Sequence, residues 1–516
     1  MVRRIGLGLC LVALAGFVAL PAFAAVQNVK ISGDINVSGV ARSNLDLDKS
    51  SLDKSSSVAN SVGANSNQDN QSDFLSITRV KVDADLTDNV STSVRLINER
   101  NWNGDSATGT TGSNRNIGFT TANAAATERQ FDLDLASITL REFLTPAMTL
   151  TVGRQELRFG NGWIVGDPDT NGIALASSLA EGDLSSRKSF DAIRARLDYN
   201  PLILDLIYAK IAENVSTLND DTTLGGINAG YELSANTNLE GFIFSKVRGV
   251  VGSSATSAGT AATNVDSGLT TSFNTAKQAT DVVNTVGARV VNKSVKNLTL
   301  DGQVAYQFGT YNPKLDPNAR FISATDKAET SARSAWGTEV IAVYDLKDVS
   351  MVSKYEPSLT GAYVYLSGEG RDKVGNKTYK GWDGMYEDQT FGHLINAVMG
   401  FSNVHLVGVS LKAKPATDLT AKLDYISGWF AKRYPEGRAV ALSGVSGARQ
   451  FTMGKTPHFG QEIDLTLNYD YTEDVQMSLL GGVLLPSKAI NARAAADPFR
   501  QRAIAAELIG SMKVTF

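Results

Sequence analysis

"ITRVKVDADL", residues 77–86, sets Arg79, Lys81, Asp83 and Asp85 on one parity and Val80, Val82, Ala84 and Leu86 on the other. Side chains of a β-strand alternate between two faces, so this is a strand with one apolar face and one charged face. The rhythm recurs along the chain. In "VKISGDINVSGVARS" (29–43), Val29, Ile31, Ile35, Val37 and Ala41 oppose Lys30, Ser32, Asp34, Asn36, Ser38 and Arg42. "FDAIRARLDY" (190–199) sets Ile193, Ala195, Leu197 and Tyr199 against Arg194, Arg196 and Asp198. "EIDLTLNYDY" (462–471) sets Ile463, Leu465, Leu467, Tyr469 and Tyr471 against Glu462, Asp464, Thr466, Asn468 and Asp470. Alternation alone also fits a soluble sandwich.

The connections discriminate. Tight joints fall at 86–89, 144–148, 199–202, 234–238, 296–297, 414–418 and 471–474, and only the stretch around 346–356 is longer on that side. Long polar segments lie between them, near 46–72, 103–128, 160–188, 250–280, 311–332, 370–402, 433–457 and 487–501, with a shorter joint at 213–221. Short and long connections therefore alternate, the pattern of a transmembrane barrel with short periplasmic turns and long extracellular loops. Counting segments predicts an all-β, antiparallel barrel of about eighteen strands.

The first residues suit that destination. Arg3 and Arg4 precede an apolar run from Ile5 to Leu20, and Ala22 and Ala24 flank Phe23 in an A-x-A pattern. This reads as a secretory signal peptide over 1–24, leaving a barrel over 25–516. The only cysteine, Cys10, lies inside it, so the exported chain is expected to carry no disulfide. With 49 Lys+Arg against 53 Asp+Glu, and no basic cluster, the composition argues against nucleic acid as a partner. The segment ending "ELIGSMKVTF" puts Leu508, Met512, Val514 and Phe516 on one face. A terminal aromatic on an amphipathic strand resembles the signal read by the barrel assembly machinery, which is expected as a partner together with outer-membrane lipid.

Residues 151–167, "TVGRQELRFGNGWIVGD", add Arg154, Glu156 and Arg158 at alternate positions. Facing the bilayer midplane, a basic side chain costs about 2–4 kcal/mol, so these charges are predicted to face the interior. Leu150 and Val152 share their parity, which requires a one-residue bulge near Gly153 to switch the phase. The competing reading is that some of them sit at a wet rim.

These patches also carry a family resemblance. "ITLREFLTPAMTLTVGRQELRFGNGWIVGD" followed by "SFDAIRARLDY", and later "WDGMYEDQTFGHLIN" and "HFGQEIDLTLNYDY", resemble the alginate-export family of outer-membrane barrels. The resemblance implies an eighteen-stranded monomeric channel whose charged lumen passes an anionic polysaccharide or a smaller anionic solute. By position it points to Arg154, Gln155, Glu156, Asp191, Arg194, Glu462 and Asp464, although parity turns Asp191 away from Arg194.

The predicted pore-lining residues are Arg79, Lys81, Arg95, Arg154, Glu156, Arg158, Arg194, Arg196, Glu462 and Asp464, with Asp83, Asp85, Glu99 and Asp198 as further acidic neighbours. Two roles are open to each: selecting the solute by local potential, or bracing the wall, since interior charges must be paired or hydrated. The segment 160–188, which contains Trp163, Asp167, Asp169 and Asp183, is the expected constriction loop. It lacks the spacing of a calcium loop, and neither metal nor cofactor is expected. Tyr199, Tyr208, Tyr231, Tyr469 and Tyr471 near turns, with Trp102, Trp429 and Phe430 near loop ends, are expected to form interfacial girdles; Trp163 and Trp382 are candidates for stacking on sugars.

Two other functions stay open. A barrel can sheathe an electron-carrying cytochrome or dock a periplasmic partner, but the chain has no C-x-x-C-H haem site of its own. An outer-membrane hydrolase needs a nucleophile beside a base. His393, His405 and His458 are the only histidines, and no G-x-S-x-G or H-E-x-x-H accompanies them, so enzyme activity is not expected.

Overall fold

The structure is a computed structural model that describes residues 28–45, 47–49, 70–102, 131–168, 182–213, 221–249, 262–264, 269–271, 280–312, 330–370, 378–389, 391–436, 439–441, 450–491 and 501–516. The expected signal peptide, Cys10 and Asp169 lie outside the described residues.

Eighteen strands form one closed sheet. In chain order they are β1 (Asn28–Ser43), β2 (Asn70–Thr87), β3 (Val90–Asn101), β4 (Asp132–Leu140), β5 (Met148–Glu156), β6 (Ser189–Asp198), β7 (Leu202–Ala212), β8 (Thr222–Ser234) and β9 (Thr237–Arg248). The second half comprises β10 (Asp281–Asn292), β11 (Leu298–Tyr311), β12 (Ser331–Asp345), β13 (Ser358–Leu366), β14 (Val404–Ala416), β15 (Leu419–Phe430), β16 (His458–Asp470), β17 (Val475–Pro486) and β18 (Ala505–Thr515). Each strand pairs antiparallel with the next, and β18 returns to β1 with Thr515 opposite Asp34 and Ala506 opposite Ser43. The expected strand number and topology are both realised. The twelve-residue connection 346–357 is the long exception among the turns, as its sequence suggested.

Closure explains the composition of each face. A barrel has no unpaired edge, so the backbone polar groups of its strands pair inside the sheet, as hydrocarbon demands. The face carrying Ile31, Val152, Ile193, Val340 and Val409 is exposed on the outside, which is the lipid side. Aromatics mark its borders. Near the loops, Phe74 stacks on Trp102 with centroids 5.6 Å apart, and Tyr306 lies 4.6 Å from Trp336. Near the turns stand Tyr199, Tyr231, Tyr344, Tyr469 and Tyr471. Two girdle expectations are corrected: Tyr208 lies nearer the loop end of β7, and Phe430 is buried within the interior cluster.

The expected bulge at Gly153 is absent. The β5–β6 ladder runs without a register shift, pairing Thr151 with Arg194, Val152 with Ile193, Gly153 with Ala192 and Arg154 with Asp191. Gly153 instead takes φ +119°, a conformation open to glycine, and a Cβ built on it meets the Ala136 carbonyl oxygen at 2.2 Å. Arg154 therefore shares the face of Val152 and Ile193 and pairs with Asp191 at 3.7 Å. Its interior placement is overturned for a physical reason: beside the loop rim, beyond the apolar band, an outward charge costs only about 0–1 kcal/mol.

Candidate functional site

The interior holds charged wall residues and two inward-folded loop segments. On β2 and β3, Arg79 makes two 2.8 Å bonds to the Asp34 carboxylate, Lys81 lies 3.0 Å from Asp83, and Arg95 contacts Asp134 and Glu156 at 2.5 Å each. Asp83 also accepts a bond from Ser93. On β6, Arg194 donates to Asp205 at 2.7 Å and lies over the Phe159 ring. Arg196, two residues nearer the turn, is exposed and makes no ion pair among the described residues. Glu99 is buried against Arg187 of the segment before β6, and Asp198 caps the backbone of the 199–201 turn.

The segment 157–168 enters the interior as its sequence suggested, with Trp163, Ile164, Val165 and Asp167 all buried. Its strand-like hydrophobics Leu157 and Phe159 start the interior cluster. Residues 182–188 follow the wall: Arg42 bonds Asp183 at 2.7 Å and Glu507 at 3.1 Å, while Arg187 holds Glu99 and Asp132.

A second segment, 378–389 with 391–403, also folds inward, which strand parity does not foretell. It interlocks with the first: Trp382 stacks on Trp163 at 5.4 Å, Tyr386 exchanges backbone bonds with Ile164 and Gly166, and Asp388 pairs with Arg158. Both tryptophans are about 3–4% exposed, so they pack against each other instead of offering a sugar-stacking surface. Wall residues anchor this plug from several sides. Lys246 of β9 and Gln307 of β11 hold Asp383, and Glu339 of β12 accepts bonds from Asn161, Gln303 and Gln389. Burial opposes the ionisation of Asp383, yet Lys246, Arg333 and Arg248 hold its carboxyl well below the usual range.

On the far side the anchor is Glu462. Its carboxyl group accepts the backbone N–H of His393 at 2.6 Å, Leu394 at 2.7 Å and Ile395 at 2.6 Å, where the short helix α1 (Leu394–Val398) begins. The first N–H groups of a helix have no partner within it, and Glu462 supplies one for three of them. Gly392, at φ +76°, lets the chain pass this close; a Cβ there would lie 2.6 Å from a Glu462 oxygen. Glu462 and Asp464 are 0% and 1% exposed, so the structure places both beneath the plug. The signal for this segment was present in Leu394, Ile395, Ala397 and Val398, an apolar run unsuited to a loop in water.

Glu387 gives the plug a pH response. Burial, with the Asp167 and Asp388 carboxylates nearby, pushes its carboxyl from 4.5 up to about 8. The docked segment thus favours the protonated form: docking is strongest below about 4.5, weakens above it, and has lost the whole contribution once pH exceeds about 8. Conductance of the inserted barrel is expected to rise severalfold as pH climbs from about 4.5 to about 8 and to level off above that, and Glu387→Gln should flatten the rise. An unchanged pH profile in the variant would remove Glu387 from plug docking.

Among the described residues no group of His, Cys, Asp and Glu is arranged to hold a metal. No helix there is long and apolar enough to cross a membrane; the strands do so. An eighteen-stranded closed wall, lipid-facing outside and charged and loop-filled inside, defines an outer-membrane β-barrel of the porin kind. The alginate export family matches residues 54–502, and the chain belongs to that family. Among solved structures it is similar to OccAB1 of Acinetobacter baumannii, at 10% identity and TM-score 0.50, covering 95% of this chain and 97% of that one. The outer membrane protein OpdK of Pseudomonas aeruginosa is 10% identical, with TM-score 0.48 and coverage of 95% and 100%. At such identity the likeness is one of fold. No curated protein matches the chain in sequence.

Proposed function

We propose that this barrel is a channel for small anionic solutes or an anionic polysaccharide, gated by the inner plug. The observation that carries the reading is the basic arc of the wall, Arg79, Lys81, Arg95, Arg194 and Arg196, in which Arg196 faces the periplasmic end and makes no ion pair among the described residues. Membership of the alginate export family supports the same class of solute. The interlocked segments across the interior weigh against a sheath for a cytochrome, which needs an open bore. Outer-membrane lipid, the assembly machinery acting on β18, and a periplasmic partner that delivers the solute belong to this proposal.

The test is the reversal potential of the barrel in a planar bilayer under a salt gradient. One hydrated charge contributes about 0.5 kcal/mol, so Arg196→Ala is expected to lower the anion-to-cation permeability ratio about twofold. Arg154→Ala, on the outer face, should leave it unchanged. Equal ratios in wild type and Arg196→Ala would overturn the basic arc as the selecting element.

A further inference from the structure

We propose that the outer surface between β13 and β16 binds the phosphorylated glycolipid of the outer leaflet, lipopolysaccharide. The register places His405 opposite Tyr365 and Trp429, and Trp429 opposite His458, making an aromatic row across four strands. Tyr363 joins it through a 2.8 Å bond between its hydroxyl and His405 Nδ1. Val407 and Val409 continue the exposed lipid-facing surface from there towards the turns. A shallow, open groove runs along this row, floored by Tyr363, Val407 and Trp429 and reaching Lys432 and Arg433 at its loop-side edge.

Those cations are held in position and make no ion pair among the described residues. The backbone of Lys432 is fixed by Asn403, whose side chain accepts its N–H at 2.7 Å and donates to its carbonyl at 2.8 Å. Its side chain makes no ion pair among the described residues, and the guanidinium of Arg433 donates to the Lys455 carbonyl. Lys455 is 79% exposed and lies 3.9 Å from Glu436. Elsewhere on the same rim Lys210 is neutralised by Glu213 and Asp221, and Arg154 by Asp191.

An apolar, aromatic floor at membrane depth with uncompensated cations directly above it matches a ligand with acyl chains below and phosphates at headgroup level. A soluble anion would use the cations and leave the floor in hydrocarbon. A neutral lipid would use the floor and leave the charge unanswered. The outer-leaflet glycolipid uses both. This inference does not depend on what the channel conducts.

The experiment counts glycolipid molecules retained per barrel, by native mass spectrometry, after lipopolysaccharide is added to purified protein and the excess washed away. Wild type is compared with Lys432→Glu/Arg433→Glu and with Lys296→Glu, an exposed lysine on the turn side. Two interfacial charges account for a tenfold effect or more, so the double variant should retain at least about tenfold less and Lys296→Glu should match wild type. Chemically dephosphorylated lipopolysaccharide should bind wild type as weakly as the intact glycolipid binds the double variant. Equal retention by wild type and the double variant overturns the proposal, as does equal retention of the dephosphorylated form or full displacement by inorganic phosphate. Both variants change exposed side chains, and heat-dependent gel mobility verifies that each barrel is closed.

Discussion

Glu462→Ala is expected to undock the 378–403 segment and convert a weakly conducting barrel into a strongly conducting one. The substitution leaves the N–H groups of His393, Leu394 and Ile395 without their acceptor. Each buried donor without a partner costs about 1–3 kcal/mol, so the docked state loses about 3 kcal/mol or more. That raises the undocked population by roughly a hundredfold. Two readouts should move together: longer open dwell times in single-channel records, and new protease cleavage within 378–403 on the intact barrel. Glu462→Gln keeps an acceptor oxygen and should fall between wild type and Glu462→Ala. If conductance and cleavage both stay at wild-type levels, Glu462 is a wall residue and the plug is held elsewhere.

Gly153→Ala should act on the wall itself. Its backbone lies at φ +119°, where a side chain costs about 1–3 kcal/mol in strain. The added methyl group would also meet the Ala136 carbonyl oxygen at 2.2 Å, in the last pairs of the β4–β5 ladder. The two penalties together amount to about 3 kcal/mol or more, enough to shift the wall out of register or lower the yield of closed barrel severalfold. The measurement is the fraction of heat-resistant, compact barrel on a cold gel after refolding. Gly481→Ala, where the nearest atom to an added Cβ is 4.0 Å away, is the control and should refold like wild type.

The wall was legible in the sequence because hydrocarbon imposes one rule along every strand. Val80, Val82, Ala84 and Leu86 must leave the side of Arg79, Lys81, Asp83 and Asp85, and period two records that separation directly. Arg154 departs from that rule because it lies past the apolar band, where water returns and an outward Arg154 pairs with Asp191. The plug was harder to read. Parity turns Glu462 inward, but says nothing of which loop will cover it. That is decided by contacts between residues far apart in sequence, such as Trp163 with Trp382 and Arg158 with Asp388. Loop 160–188 announces itself by following the charged strand and by its Trp163 and aspartates, whereas the partner that completes it is recognised only through the apolar side chains of α1.

The anchoring of the plug on β9, β11, β12 and β16 makes it a set of spokes. A ring of strands joined only at its edges deforms most easily by flattening, one diameter lengthening as the perpendicular one shortens. Struts from Lys246, Gln307, Glu339 and Glu462 to one segment oppose that motion, because each flattening stretches some struts and compresses others. Roundness and closure are thereby a single elastic property: lateral stress from the bilayer that ovalises the ring loads the same bonds that keep the bore filled.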